Sequence, residues 1–134
     1  MLEQHITRLT EELHLPPPQN KDANGYFPML FADKVKIALR DLSPGFIIRG
    51  NIALLPKQDK EKILIYVMQA NFLGQGTGKQ VIGLDEEEKF LTLSLTIPYE
   101  VSYKKFKELV EEFVNYLFYW QGDIQKMQSL STTS

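Results

Sequence analysis

Asn71-Phe72-Leu73-Gly74-Gln75-Gly76-Thr77-Gly78-Lys79-Gln80-Val81-Ile82-Gly83-Leu84-Asp85-Glu86 is the stretch on which the reading of this chain turns. Its centre, Gly74 to Lys79, has the look of a phosphate-binding loop. Such a loop needs Gly, four residues, then Gly-Lys-Ser/Thr, because backbone amides wrap the phosphates and a hydroxyl holds magnesium. Counting back from Gly78-Lys79 puts Leu73 where the first Gly belongs, and Gln80 stands where the hydroxyl is required. The dinucleotide fingerprint fails as well, since Gly74 and Gly76 call for a third Gly where Lys79 stands. Context weighs more than spelling. Phosphate loops run from a strand into a helix, whereas here residues 63–72 read as helical and 80–84 as extended. The glycines therefore read as a helix end, where backbone conformations free of a Cβ are needed.

Outward from this point the pattern is regular. Upstream, Leu2, Ile6, Leu9 and Leu13 recur at helical spacing, and Pro16-Pro17-Pro18 turns that helix into an extended connector. Residues 26–31 form a strand candidate, with Pro28 pointing to an edge position. Residues 34–40 alternate polar and apolar side chains, and 46–55 make a further strand after the turn signal Ser43-Pro44-Gly45. Asp59 is placed to cap the next helix, whose apolar positions Ile63, Ile65, Tyr66, Val67, Met68, Ala70 and Phe72 nearly encircle it. Downstream, residues 80–84 and 89–97 flank an acidic turn as a hairpin. Ser102 can cap a long last helix with Phe106, Leu109, Val110, Phe113, Leu117, Trp120 and Ile124 as its buried stripe. The spacing thus predicts an α+β fold in the order helix, three strands, helix, two strands, helix, with an antiparallel twisted sheet packed by helices. One domain is expected over residues 1–128, with 129–134 as a flexible tail.

Composition bounds the rest. The 134 residues suit one core, and 43% hydrophobic with 24% charged content is ordinary for a soluble globular domain. A formal charge of -2 gives no electrostatic reason to expect nucleic acid as a partner. Without Cys, disulfides and thiolate metal sites are excluded. No secretory signal opens the chain and no apolar run is long enough for stable membrane insertion, so a cytosolic location is expected. His5 and His14 are the only histidines, and neither has a Ser or carboxylate at a recognisable catalytic spacing. The acidic run 85–88 reads as a solvated turn, not a cation site. Neither an enzyme nor a cofactor or metal is expected.

With that order in hand, Ala70-Asn71-Phe72-Leu73-Gly74 through Gly76-Thr77-Gly78 and Ile82-Gly83-Leu84-Asp85 resembles the central signature of class I type III secretion chaperones, the Tir-chaperone (CesT-like) family. The resemblance covers roughly residues 1–128. It implies a small bacterial cytoplasmic protein acting in virulence-associated protein transport, either a homodimer or a heterodimer with a second chaperone. Its partner would be the extended N-terminal chaperone-binding segment of one or more secreted effectors, kept soluble and export-competent. The alternative is a regulatory protein of the same fold that sequesters a transcription factor or a secretion-apparatus component.

Holding a chain unfolded requires apolar grooves for its side chains and an exposed strand edge for its backbone. The stripe Leu2, Ile6, Leu9 and Leu13, lying against Val35, Ile37 and Leu39, is the expected effector groove; ordinary core packing would give the stripe the same spacing. The family places its dimer interface on the second helix and the last hairpin, which here implies Ile63, Tyr66, Val67, Ala70 and Phe72 with Leu91, Leu93 and Leu95. A helix apolar nearly all round, in a protein this small, supports burial on more than one side.

Overall fold

The five strand candidates and three helix candidates are realised as α1 (Leu2–Glu12), β1 (Tyr26–Phe31), β2 (Val35–Asp41), β3 (Phe46–Leu54), α2 (Lys60–Leu73), β4 (Val81–Leu84), β5 (Phe90–Ile97) and α3 (Tyr103–Thr132). The computed structural model describes residues 2–16, 20–31, 35–55, 60–73, 80–85 and 87–132, without the side chains of 70–73 and 128–132. Pro17 and Pro18, the Asp59 cap and the glycine loop 74–79 lie outside the described residues.

The strands form one antiparallel sheet in the order β1-β2-β3-β5-β4, so β1 and β4 are its edges. Pro28 lies in edge strand β1, where a residue without an N–H costs least. The pairing register sorts side chains into two faces. Phe27, Met29, Val35, Ile37, Leu39, Phe46, Ile48, Leu93, Leu95 and Ile97 point inward and are buried. Tyr26, Pro28, Ala38, Arg49, Ser94 and Val81 fall on the opposite face, and none of these is buried. A shift of register between Asn51 and Ala53 tucks Ile52 into the core as well.

The helices cover the inner face. α3 begins where the Ser102 side chain accepts a hydrogen bond from the Lys105 N–H at 3.2 Å, the expected cap. Its stripe of Phe106, Leu109, Val110, Phe113, Leu117, Trp120 and Ile124 is buried throughout. The helix continues to Thr132, into the segment 129–134 that composition marks as a tail. α1 ends with His14 in the left-handed region (φ 54) and the Leu15 N–H donating to Thr10 C=O at 2.9 Å, which satisfies a terminal carbonyl.

Close approach of α3 to the sheet depends on Gly50. A Cβ at that position would sit 2.5 Å from Leu117 Cδ2, and Leu117 is itself fully buried. Gly50→Ala is therefore expected to destabilise by ~1 kcal/mol net. Overpacking costs about 1–3 kcal/mol, and the lower chain entropy of alanine offsets part of it. Urea titration should show a lower midpoint at unchanged slope.

Candidate binding surfaces and family

Seven side chains of the expected effector groove come together, but as core. Leu2, Ile6, Leu9, Val35, Ile37 and Leu39 are all buried and Leu13 half-buried, in one cluster with the α3 stripe. Two fastenings hold α1 there. The His5 Nε2–H donates to the Val101 carbonyl at 3.0 Å, and its ring stacks on Phe106 at 5.1 Å. At the other end, Glu12 accepts hydrogen bonds from Tyr103 Oη and Lys107 Nζ, both at 2.5 Å. The Arg8 guanidinium lies 4.0 Å over the Tyr103 ring. Lys107 first, then Tyr103, hold the Glu12 carboxyl below the ordinary carboxylate range. Desolvation and the neighbouring Glu12 push the Tyr103 hydroxyl up to about 12. A foreign side chain reaches this stripe only if α1 lifts away.

The residues expected at the dimer interface pack, where described, against the chain's own core. Ile63 and Val67 are buried in the chain's own core, as are Leu91, Leu93 and Leu95 on the inner face of the sheet. Tyr66 is half-buried. Its hydroxyl donates to Asp123 Oδ2 at 2.7 Å, and its ring meets Trp120 edge-on at 5.8 Å. That bond to a carboxylate, with burial, pushes the phenol up to about 12. The side chains of Ala70 and Phe72 lie outside the described residues. The opposite side of α2 carries Ile65 and Met68, 56% and 65% exposed. Helical spacing puts both on one face. α2 packs beside β4, where Val81 and Leu84 are also exposed. The signal for these residues was present in the sequence, as a helix with apolar side chains on both faces.

The outer face of the sheet is the surface that residue spacing alone did not single out. It holds an open cleft of about 350 Å³. One wall is the turn leading into β1, with Asp22, Asn24 and Tyr26; the other is the β4–β5 turn, with Asp85 and Glu87; Ala38, Arg49 and Asn51 form the floor. Both walls are built on an aspartate. Asp22 Oδ1 accepts from the N–H groups of Asn24 and Tyr26, each at 2.9 Å. Asp85 Oδ1 accepts from the N–H groups of Lys89 at 2.7 Å and Phe90 at 3.0 Å. The Phe90 amide is the main reason its carboxyl is held below the ordinary range; the Lys89 amide and the charge of Arg49 add to it.

Among the described residues, no group of three or more His, Cys, Asp or Glu side chains could hold a metal ion, and no helix is long and apolar enough to cross a membrane.

Comparison with known proteins agrees with this architecture. The chain is similar to a chain of the HopA1-SchA chaperone-effector complex, with 16% identity and a TM-score of 0.66 over 90% of this chain and 93% of that one. It is similar to a chain of the heterodimeric ExoU-SpcU complex from the type III secretion system of Pseudomonas aeruginosa: 14% identity, TM-score 0.65, 91% and 96% covered. YbjN, a putative transcription regulator from E. coli, shares the fold too, at 13% identity and TM-score 0.62 over 95% and 90%. At these identities the likeness is one of fold. No curated protein matches the chain in sequence. The family model of the Tir chaperone proteins (CesT) matches residues 4–121, so the resemblance carried by residues 70–85 extends across nearly the whole domain, and the chain belongs to the Tir chaperone protein (CesT) family.

Proposed function

We propose that this protein is a type III secretion chaperone that binds the extended N-terminal segment of a secreted effector in the bacterial cytosol and keeps it soluble and competent for export. The observation that carries this reading is a sheet whose described helices all pack on one face. Its outer face and its β1 edge offer polar, half-buried and main-chain groups to a polypeptide that lies on the surface without being enclosed. The cleft between the two turns lies on that outer face. Such binding suits cargo that must be released unfolded, because ordering an extended segment subtracts several kcal/mol from the gross gain. The role is one of binding, not catalysis.

The protein acts as a dimer in this reading. Ile65 and Met68 on α2 make an exposed apolar patch beside edge strand β4; of that strand's own exposed side chains, Val81 lies on the outer face of the sheet and Leu84 on the inner. A second copy would cover the α2 patch by presenting its own about a two-fold axis. Ile63, Val67 and the β5 leucines then support the interface from below. Leu2, Ile6, Leu9 and Leu13 likewise support the effector surface through the strands they pack under.

A regulatory role is the second reading, favoured by the shared fold with YbjN, the putative transcription regulator. Affinity purification of the tagged chain from its native lysate, with mass spectrometry, separates the two. A secreted protein retained through its first ~100 residues is the expected result, as for an extended bound segment. Retention of a transcription factor in its place would establish the regulatory reading.

A further inference from the structure

In an antiparallel edge strand, alternate residues turn their main-chain groups toward the neighbouring strand, and the residues between turn theirs toward the open edge. Two observations settle which residues of β1 face outward. Tyr26 N–H donates to Asp22 Oδ1 at 2.9 Å, and Tyr26 C=O accepts from the Asp22 N–H at 2.8 Å. Neither group therefore goes to Arg40, its partner in β2. Pro28, two residues further on, has no N–H to give, which suits an outward position. Tyr26, Pro28 and Leu30 thus turn their main-chain groups to the edge, while Phe27, Met29 and Phe31 turn theirs to β2. With both groups of Tyr26 closed by Asp22, the edge is left with Pro28 C=O, Leu30 N–H and Leu30 C=O. Among the described residues no turn or loop takes up these three groups.

We infer that Asp22 sets where a guest strand on β1 stops: the edge takes an extended polypeptide over Pro28 and Leu30 alone, and Asp22 turns it away at Tyr26. The guest supplies N–H donors from two alternate residues, to Pro28 C=O and Leu30 C=O, and one C=O that accepts from Leu30 N–H. Either strand direction requires this same set. Neither of the two donating residues can be proline, whereas the guest residues that reach Tyr26 are free of any main-chain requirement. The inference rests on the proposed role of the β1 edge and adds the register and the main-chain pattern of the segment that binds there.

The test is amide hydrogen exchange read by NMR on the full chain, with and without a soluble heptapeptide of alternating serine and valine at millimolar concentration. The peptide should slow exchange at the Leu30 amide about tenfold and leave the Tyr26 amide unchanged, because Asp22 already holds its proton. Asp22→Ala should speed Tyr26 exchange in the free protein about tenfold and let the peptide slow it again. The same variant should bind the peptide about fivefold more tightly, the effect of one added main-chain bond. Asp22→Asn keeps an acceptor oxygen and should behave like the unsubstituted chain. A Tyr26 amide that the peptide protects before substitution, or one that it leaves unprotected after Asp22→Ala, overturns the role of Asp22 while the edge itself stands. If Leu30 gains no protection in any of the three proteins, the inference falls together with the reading of β1 as a guest edge; retention of a secreted protein from the lysate would still support the chaperone.

Discussion

Replacing Trp120 by alanine should lower the unfolding free energy by about 3–5 kcal/mol, the range for deleting a fully buried large aromatic. Trp120 is 1% exposed, and it is where α2 and α3 join. Tyr66 of α2 lies edge-on to it at 5.8 Å, and Tyr119 at 5.6 Å. Removing the indole leaves a cavity between two helices and the sheet. It also takes away one face of the packing that sets Tyr66 Oη against Asp123, 57 residues away. Small domains hold roughly 5–15 kcal/mol in total, so the variant would sit near the threshold of folding. Far-ultraviolet circular dichroism through a urea titration measures the loss directly. Trp120→Phe, which keeps most of the volume, should lose distinctly less. A loss under about 1 kcal/mol for the alanine variant would show that this junction is not the keystone described.

The second large effect concerns assembly. Ile65→Asp combined with Met68→Asp should turn the proposed dimer into a monomer at micromolar concentration, read by light scattering. Each apolar side chain buried at an interface contributes about 1.5–3 kcal/mol, and two-fold symmetry counts every substitution twice. The combined loss, roughly 6–12 kcal/mol, exceeds what separates a micromolar from a millimolar dimer. Because both side chains face solvent in the single chain, helix content should be retained. Ile63→Asp is the contrasting control: Ile63 is 1% exposed, so a charge there should unfold the chain instead of dissociating it. A dimer that survives the double substitution would rule out the outward row of α2 as its seam.

These two results mark the boundary between what residue order states and what it withholds. Alternation in β2 and β5 and the stripe of α3 named much of the fold and its core, because period-two and period-3.6 patterns encode one buried face each. α2 carries no such asymmetry. With apolar residues on both sides, its inward row is chosen by contacts distant in sequence, such as Tyr66 with Asp123. α1 is amphipathic whether it packs on its own sheet or waits for a partner; its place in the core follows from Val101 and Tyr103, more than 90 residues downstream. Arg49 in an alternating strand looks like any outward-facing charge. Its place on the floor of the outer cleft emerges only when strand pairing brings Asp22, Asn24 and Tyr26 to one side of it and Asp85 and Glu87 to the other. Family resemblance, by contrast, was legible in one short run around residues 70–85 and is matched over 4–121.

The two ends of the sheet bear on a hazard that any holder of unfolded chains must face. An unpaired strand edge is a seed for endless strand-on-strand growth, and fibres are the rival product whenever sticky segments gather at high local concentration. Here one edge, β1, spans six residues interrupted by Pro28, and the other, β4, is only four residues long with Gly83 inside it. Neither can carry a long unbroken ladder. A guest strand gains a few main-chain bonds and then runs out of template, so edges this short terminate polymerisation.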